Sequence, residues 1–373
     1  MMRVLRDPIG WWEALGRPLR ALPRWGALLV LLLGAALLVW SSVSVERMYG
    51  EQRAKEAGIA AKDGHFGDID LYRQINQRVR AGESYYAAAL SEQRAHNYPT
   101  RPFVTVRLPT LAWTDRLWGE SGWRIIAIGA LLANIAAWIG ALSERGLALE
   151  RAAAALLIPA AGIGAFYEHV GVVHELIAGL FLSLALGLYR PHRWWPSLIA
   201  AAAALAVREL AVPFVLLWAV FAAWKGRRAE FRAVVALLIV FALGMALHAL
   251  GVAGARMPGD IASPGWTGML GLPLVLTSIV RLSPLLAVPS SIAGPLALLP
   301  LLGWIGLGGR FGLFASLWFI GFGLAVALFA RANNFYWVLL MLPAYAVGLA
   351  LVPRALADLV MAILRPRGMI AKS

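Results

Sequence analysis

Cysteine is absent from this chain. Disulfides, thiolate nucleophiles and cysteine-ligated metals are therefore excluded. Charge is scarce as well. Asp, Glu, Lys and Arg make up 14% of the residues against 60% hydrophobic, too few to clothe the apolar remainder in a water-facing shell. A soluble enzyme is excluded on that ground. The long apolar runs show no alternation of period two, which argues against a transmembrane barrel. No internal repeat relates two halves of the chain.

Acidic residues are the scarcer sign, 20 against 34 basic ones, for a formal charge of +14. A charge of that size can indicate nucleic acid. Here the basic residues sit in short stretches between apolar runs, where they set membrane topology and meet anionic head groups. No basic domain is present to carry a nucleic-acid contact.

What the chain has in quantity is apolar helix. A helix needs about 20 apolar residues to cross a hydrocarbon core of roughly 30 Å, and 373 residues of mean hydropathy +0.71 hold many such runs. The expected fold is all-α: a polytopic membrane protein of about ten transmembrane helices, with amphipathic surface helices in a large first outer loop. One domain covers residues 1–373. Residues 26–41 form the first span, 42–122 the extracytoplasmic loop, 123–353 the remaining spans and 354–373 a cytoplasmic tail. The stretch before residue 26 is basic and carries Trp11 and Trp12, suited to a short interfacial helix. The run after it lacks a small-residue cleavage pattern and reads as an uncleaved span. Basic turns at Arg145 and Arg151, at Arg190 and Arg193, and at Lys225, Arg227 and Arg228 place both termini in the cytoplasm of a plasma (inner) membrane.

Two segments carry more detail. In the loop, Leu71, Ile75 and Val79 fall at i, i+4 and i+8 and predict an amphipathic helix over 70–80, while residues 46–61 also read as helical. Residues 196–224 are long for one helix, and Arg208 with Glu209 interrupts them. A charged pair at the bilayer centre would cost several kcal/mol. Two short helices, 197–207 outward and 211–221 back, move that pair to an outer turn and leave Lys225 on the basic side. Helices this short need a thinned bilayer or a protein-lined, water-filled pocket above them.

On this topology the outer side collects Asp63, His65, Asp68, Asp70, Arg101, Arg107, Asp115, Glu168, His169, His174, Glu175, Arg208, Glu209, Arg281 and Arg331. Carboxylates, histidines and arginines on one face suit a reaction in which a base activates a nucleophile while cations hold a phosphate. Asp68 and Asp70, two residues apart, can share a metal or divide base and orienting roles; Asp70 also suits the N-cap of the following helix. Glu168, His169, His174 and Glu175 flank a short turn. Their spacing is not that of an H-E-x-x-H zinc site, and they read either as substrate contacts or as polar residues wetting a hairpin. Arg208 reads as an anion holder or as the partner of a nearby carboxylate. Arg331 and Arg107, each at the start of an apolar run, are further candidates for a phosphate or head group. Tyr85, Tyr86 and Tyr98 suit either stacking on a sugar ring or anchoring at the membrane surface, and Phe335, Tyr336 and Trp337 read first as anchors.

Taken together these residues resemble the GT-C class of integral membrane glycosyltransferases, which use polyprenyl-phosphate sugars. The resemblance rests on the D-x-D-x-Y stretch of Asp68, Asp70 and Tyr72, on Gly82 and Tyr85 after it, and on Ala178, Gly179 and Leu180, which open a stretch leading to a short hairpin tipped by a cation. That cation is Arg208, where the class often has lysine. It implies an inverting transfer on the outer face, from a polyprenyl-phosphate-linked sugar donor to a hydroxyl of a glycan, lipid or protein acceptor. Asp68, four residues before Tyr72, would be the base, with Asp70 the near alternative. Arg208, assisted by Arg331 or Arg107, would hold the leaving phosphate. Members of the class differ in using a divalent metal ion, and metal-independent transfer is the expectation here because arginines can supply the same neutralisation. Membrane lipids are the other expected partners. The competing reading is a transporter or flippase of a lipid-linked or small anionic substrate, with a non-catalytic scaffold of an envelope-polymer machine as a third.

Overall fold

A computed structural model describes residues 7–60 and 66–365. Asp63 and His65 lie outside the described residues. The chain is helical throughout, and the described residues form no strand, only one isolated bridge between Arg101 and Ala262. In chain order the helices are α1 (Pro8–Leu15), α2 (Arg24–Ala60), α3 (Asp68–Arg80), α4 (Tyr85–Ala95), α5 (Thr110–Ser143), α6 (Ala148–Ala161), α7 (His174–Leu188), α8 (Trp195–Val207), α9 (Val212–Trp224), α10 (Arg228–Gly254), α11 (Gly271–Arg281), α12 (Ser290–Leu298), α13 (Pro300–Leu307), α14 (Gly309–Phe329) and α15 (Leu342–Leu364). Among the described residues, 6 segments are long and apolar enough to cross a membrane. They are Arg24–Glu51, Phe103–Ser143, Arg228–Gly254, Ser290–Leu307, Gly309–Phe329 and Leu342–Leu364. The apolar helices α7, α8, α9 and α11 are shorter. At 1.5 Å per residue, 13 residues such as those of α8 reach only about 20 Å.

The first span, α2, departs from expectation. It was expected to end near residue 41 with a separate helix over 46–61, yet the two are one helix to Ala60, because residues 42–60 are rich in Glu, Arg, Lys and Ala and contain no proline to stop it. At the far side of the loop, α5 starts at Thr110 rather than near 123. A break at Gly119 (φ 67°, ψ −179°) separates its first turns from the apolar run, and that backbone conformation is open to glycine alone at little cost. The loop is therefore shorter than its polar composition suggests.

Between those helices, α3 and α4 form a small core of their own. Leu71, Ile75 and Val79 are all buried, as the i, i+4, i+8 spacing requires, against Tyr85, Ala88, Ala89, Leu90 and Val106. Val252 near the end of α10 joins the cluster and seats it on the bundle. The main core runs through α5, α7, α8, α9, α14 and α15. Some buried polar groups there bond across helices: Asn134 donates to the Leu180 carbonyl at 2.9 Å and Trp138 to the Ser183 hydroxyl at 3.0 Å. Such bonds matter in a lipid-facing bundle, where no water competes.

The short hairpin forms as the interrupted pattern predicts. Helix α8 ends at Val207, Arg208 is extended (φ −149°, ψ 119°), and Glu209–Ala211 makes one 3-10 turn before α9. Two close approaches set the elements around it. A Cβ on Gly179 of α7 would collide with the Leu339 carbonyl oxygen, so only glycine lets the Ala332–Leu340 segment lie against α7. Gly268 meets the Ala330 carbonyl in the same way and pins the 255–270 connection at its far end.

Candidate functional site

Where α3, the 96–107 segment, the hairpin tip, the 261–266 connection, the end of α14 and the Arg331–Trp337 segment meet, they enclose a cavity of about 840 Å³. Asp68, Tyr72, Tyr98, Arg107, Arg208, Glu209, Arg331 and Tyr336 line its polar side. Phe322, Ala325, Val326 and Phe329 of α14, with Pro213 and Trp266, line its apolar side.

Local helix chemistry separates the two aspartates. Gly67 is the N-cap of α3, and its N–H donates to Asp70 Oδ2 at 3.0 Å. Asp70 thus satisfies one of the orphan amides of the helix start, and it is exposed outside the cavity. Asp68 is left for other partners. Its Oδ1 accepts from the Tyr98 hydroxyl and its Oδ2 from the Tyr336 hydroxyl, both at 3.0 Å. Burial raises the Tyr98 phenol well above its ordinary value, and the Asp68 charge adds to this. Burial likewise raises Tyr336, with Arg107 opposing and Glu175 and Asp68 reinforcing. Both phenols therefore stay protonated and donate. Among the described residues Asp68 forms no ion pair.

The cations form a chain behind it. Arg107 Nε donates to the Tyr72 hydroxyl at 3.0 Å and its Nη2 to the Tyr336 hydroxyl at 3.3 Å. The same Nη2 lies 3.1 Å from Glu175 Oε1, which also accepts from Arg208 Nε at 2.7 Å. Arg208 Nη1 meets the Glu209 carboxylate. Arg208 and Glu175 are almost fully buried, so each needs the other: an unpaired charge there would be costly. Arg331 differs. It is half-buried at the cavity wall, and its partner is the Asn334 side-chain oxygen at 3.4 Å rather than a carboxylate.

The residues singled out from the sequence divide accordingly. Asp68, Tyr72, Tyr98, Arg107, Arg208 and Arg331 come together at the cavity. Glu175 stands behind it between two arginines, and His174 sits edge-on to Tyr72 at 5.1 Å, with its Nδ1 3.0 Å from the Val172 carbonyl. Glu168 and His169 are not brought there. Glu168 is exposed, and His169 lies 3.1 Å from Glu120 in a separate network of Arg73, Arg80 and Asp115. Asp68 and Asp70 diverge as metal ligands, and the described residues hold no group of three or more His, Asp or Glu set to bind an ion. Tyr336 was read as a membrane anchor, and its bond to Asp68 joins positions 268 residues apart. The polar Arg331–Asn334 stretch ahead of an apolar run is the one signal that could have raised it. Glu209, read only as a partner for Arg208, lines the cavity as well.

Fold and site together define an all-α membrane protein with a cavity at one end of its bundle lined by charged, phenolic and apolar side chains. Comparison with protein-family models, with curated proteins and with solved structures finds no match to this chain.

Proposed function

We propose that this protein is an inverting glycosyltransferase of the GT-C type, moving a sugar from a polyprenyl-phosphate donor to an acceptor hydroxyl. The observation that carries the reading is the shared cavity: a carboxylate that forms no salt bridge among the described residues lines the same space as three guanidinium groups, with apolar side chains beside them. The acceptor oxygen attacks the anomeric carbon and the bond from that carbon to the phosphate oxygen breaks on the opposite face. Asp68 takes the acceptor proton, and the phosphate leaves with the electron pair. Arg331, which forms no salt bridge among the described residues, is the main contact for that phosphate. Arg208 and Arg107 shape the charged wall and offset the growing negative charge. The α14 wall takes the first units of the polyprenyl chain. In this reading α6, α7, α8 and α9 also cross while α11 does not, giving about ten spans, with the basic turns and both termini in the cytoplasm and the cavity outside.

The test is sugar transfer by purified protein in nanodiscs, supplied with a labelled polyprenyl-phosphate sugar and an acceptor alcohol. Asp68→Asn should lower the rate by about 10²–10⁴-fold, the usual weight of a general base. Asp70→Asn should stay within a few fold of wild type, because Asp70 lies outside the cavity and asparagine keeps an oxygen that accepts from the Gly67 N–H. A folded Asp68→Asn protein with full activity sinks the assignment. So does accumulation of substrate in vesicles with no covalent product.

A further inference from the structure

The opposite end of the bundle holds a second cavity, of about 490 Å³. The two cavities share helices: α14 lines the first with Phe322–Phe329 and the second with its opening turn, while α9 reaches from Pro213 in the first to Phe221 in the second. Arg145, Arg227 and Arg310 line this second space against one lining carboxylate, Glu13. Its walls are the rings of Phe214, Trp218, Phe221, Phe311 and Phe314. Size, apolar walls and a few fixed charges are the attributes of a small-ligand site.

The cations are braced from behind. Arg227 Nη1 donates to the Tyr189 hydroxyl at 2.7 Å and to Glu230 Oε2 at 3.0 Å, and Glu230 Oε1 accepts from Trp218 at 2.6 Å. Arg310 donates to Glu13 at 2.6 Å, and Lys225 holds the other oxygen of Glu13 at 2.7 Å. Arg145 is the least neutralised. Its guanidinium lies 4.7 Å over the Phe311 ring, and its carboxylate neighbour Glu144, at 3.3 Å, is half exposed and also bound by Arg190. Gly308 and Gly309, both at positive φ, turn the chain so that the first turn of α14 lines the same space. A 21-residue helix begins there with unpaired N–H groups, which favour an anion.

We propose that this cavity binds a phosphate-bearing amphiphile. The phosphate sits among Arg145, Arg310 and the first turn of α14, and the hydrocarbon lies against Phe214, Phe221 and Phe314. The proposal rests on the membrane fold and not on the sugar-transfer reading. Two sources share this chemistry: an anionic phospholipid of the bilayer and a polyprenyl phosphate.

The test is a titration of purified full-length protein in neutral detergent, read by melting temperature and by native mass spectrometry. The probes are short-chain phosphatidylglycerol, the matched phosphatidylcholine, farnesyl phosphate and inorganic phosphate. Phosphatidylglycerol or farnesyl phosphate should bind about tenfold or more tighter than the other two, and whichever binds tighter names the source. Binding should persist in Arg331→Gln, which removes the phosphate contact of the first cavity. It should fall about fivefold or more in Arg145→Gln and recover in Arg145→Lys. Phe314→Ala, which touches no ion pair, should weaken the lipid probes and leave inorganic phosphate unchanged. Equal affinity for all four probes overturns the proposal, as does lipid binding that neither Arg145→Gln nor Phe314→Ala weakens.

Discussion

The two cavities use the same ingredients, arginine, carboxylate and aromatic rings, at opposite ends of shared helices, but they commit their carboxylates differently. At the basic end every carboxylate is neutralised: Glu13 by Arg310 and Lys225, Glu230 by Arg227. At the other end Glu175 is paired with Arg107 and Arg208 and Glu209 with Arg208, while Asp68 is held by two phenols and, among the described residues, forms no salt bridge. A carboxylate bound to a guanidinium is a poor proton acceptor, because protonation would cost it the ion pair. One held by neutral O–H groups keeps its orientation and can still take a proton. The first arrangement suits holding a ligand and the second suits chemistry.

That contrast orders the predictions. The largest effect is the loss of transfer in Asp68→Asn, against unchanged transfer in Arg145→Gln assayed in the same nanodiscs. Arg208→Gln comes next and should act on stability. It strips one buried partner from Glu175, and removing half of a buried pair costs about 3–5 kcal/mol; the measurement is thermal unfolding, with Glu175→Gln in the same background restoring part of the loss. Arg331→Gln should raise the KM for the lipid-phosphate donor about tenfold while changing kcat less, since a charge-assisted contact is worth about 1.5–3 kcal/mol. Tyr336→Phe and Tyr98→Phe each remove one O–H from Asp68 and should lower kcat about three- to tenfold, with the double variant showing more than the product of the two if both orient the same carboxylate.

The smallest effect concerns the connection over the first cavity. Arg94 donates to Asp260 at 2.6 Å, and this bond brings the Asp260 carboxyl down to about 2, against a raising influence of burial. A carboxyl lowered in the folded state stabilises above its ordinary value near 4, and that stabilisation is lost as pH falls through about 2. The amides of Thr100 and Ser263, which bond across this junction to Ile261 and Arg101, should therefore keep their exchange protection from pH 7 down to about pH 4. Asp260→Asn should weaken that protection throughout the range.

Much of this architecture could be read in the chain, and the reasons are local. Arg208 and Glu209 cut an apolar run in two, so the hairpin was evident. The buried face of α3 followed from spacing alone. What escaped needs contacts distant in sequence. The polar Arg331–Asn334 stretch marks the neighbourhood of Tyr336 but does not name Asp68 as its partner, and the place of Glu175 between Arg107 and Arg208 depends on three separate elements. The sequence favoured Asp68 over Asp70 as the base and Asp70 as a cap, but placed Asp70 at the N-cap; the N-cap is Gly67, and Asp70 accepts from its N–H one turn in. Glu168 and His169 looked like part of the site because they share its end of the bundle, but Glu120, at the kink of α5, draws His169 away. The length of α2 was missed for a different reason: residues 46–61 were read as a helix of their own, and nothing between 41 and 46 breaks it from the span before it.

The most direct measurement is a structure of the protein with a polyprenyl phosphate bound. The phosphate should lie in the cavity of Asp68, within hydrogen-bond reach of the Arg331 guanidinium, with the first isoprene units along Phe322, Val326 and Phe329. A phosphate found only among Arg145, Arg227 and Arg310, with the Asp68 cavity empty, would contradict the assignment of chemistry to that end.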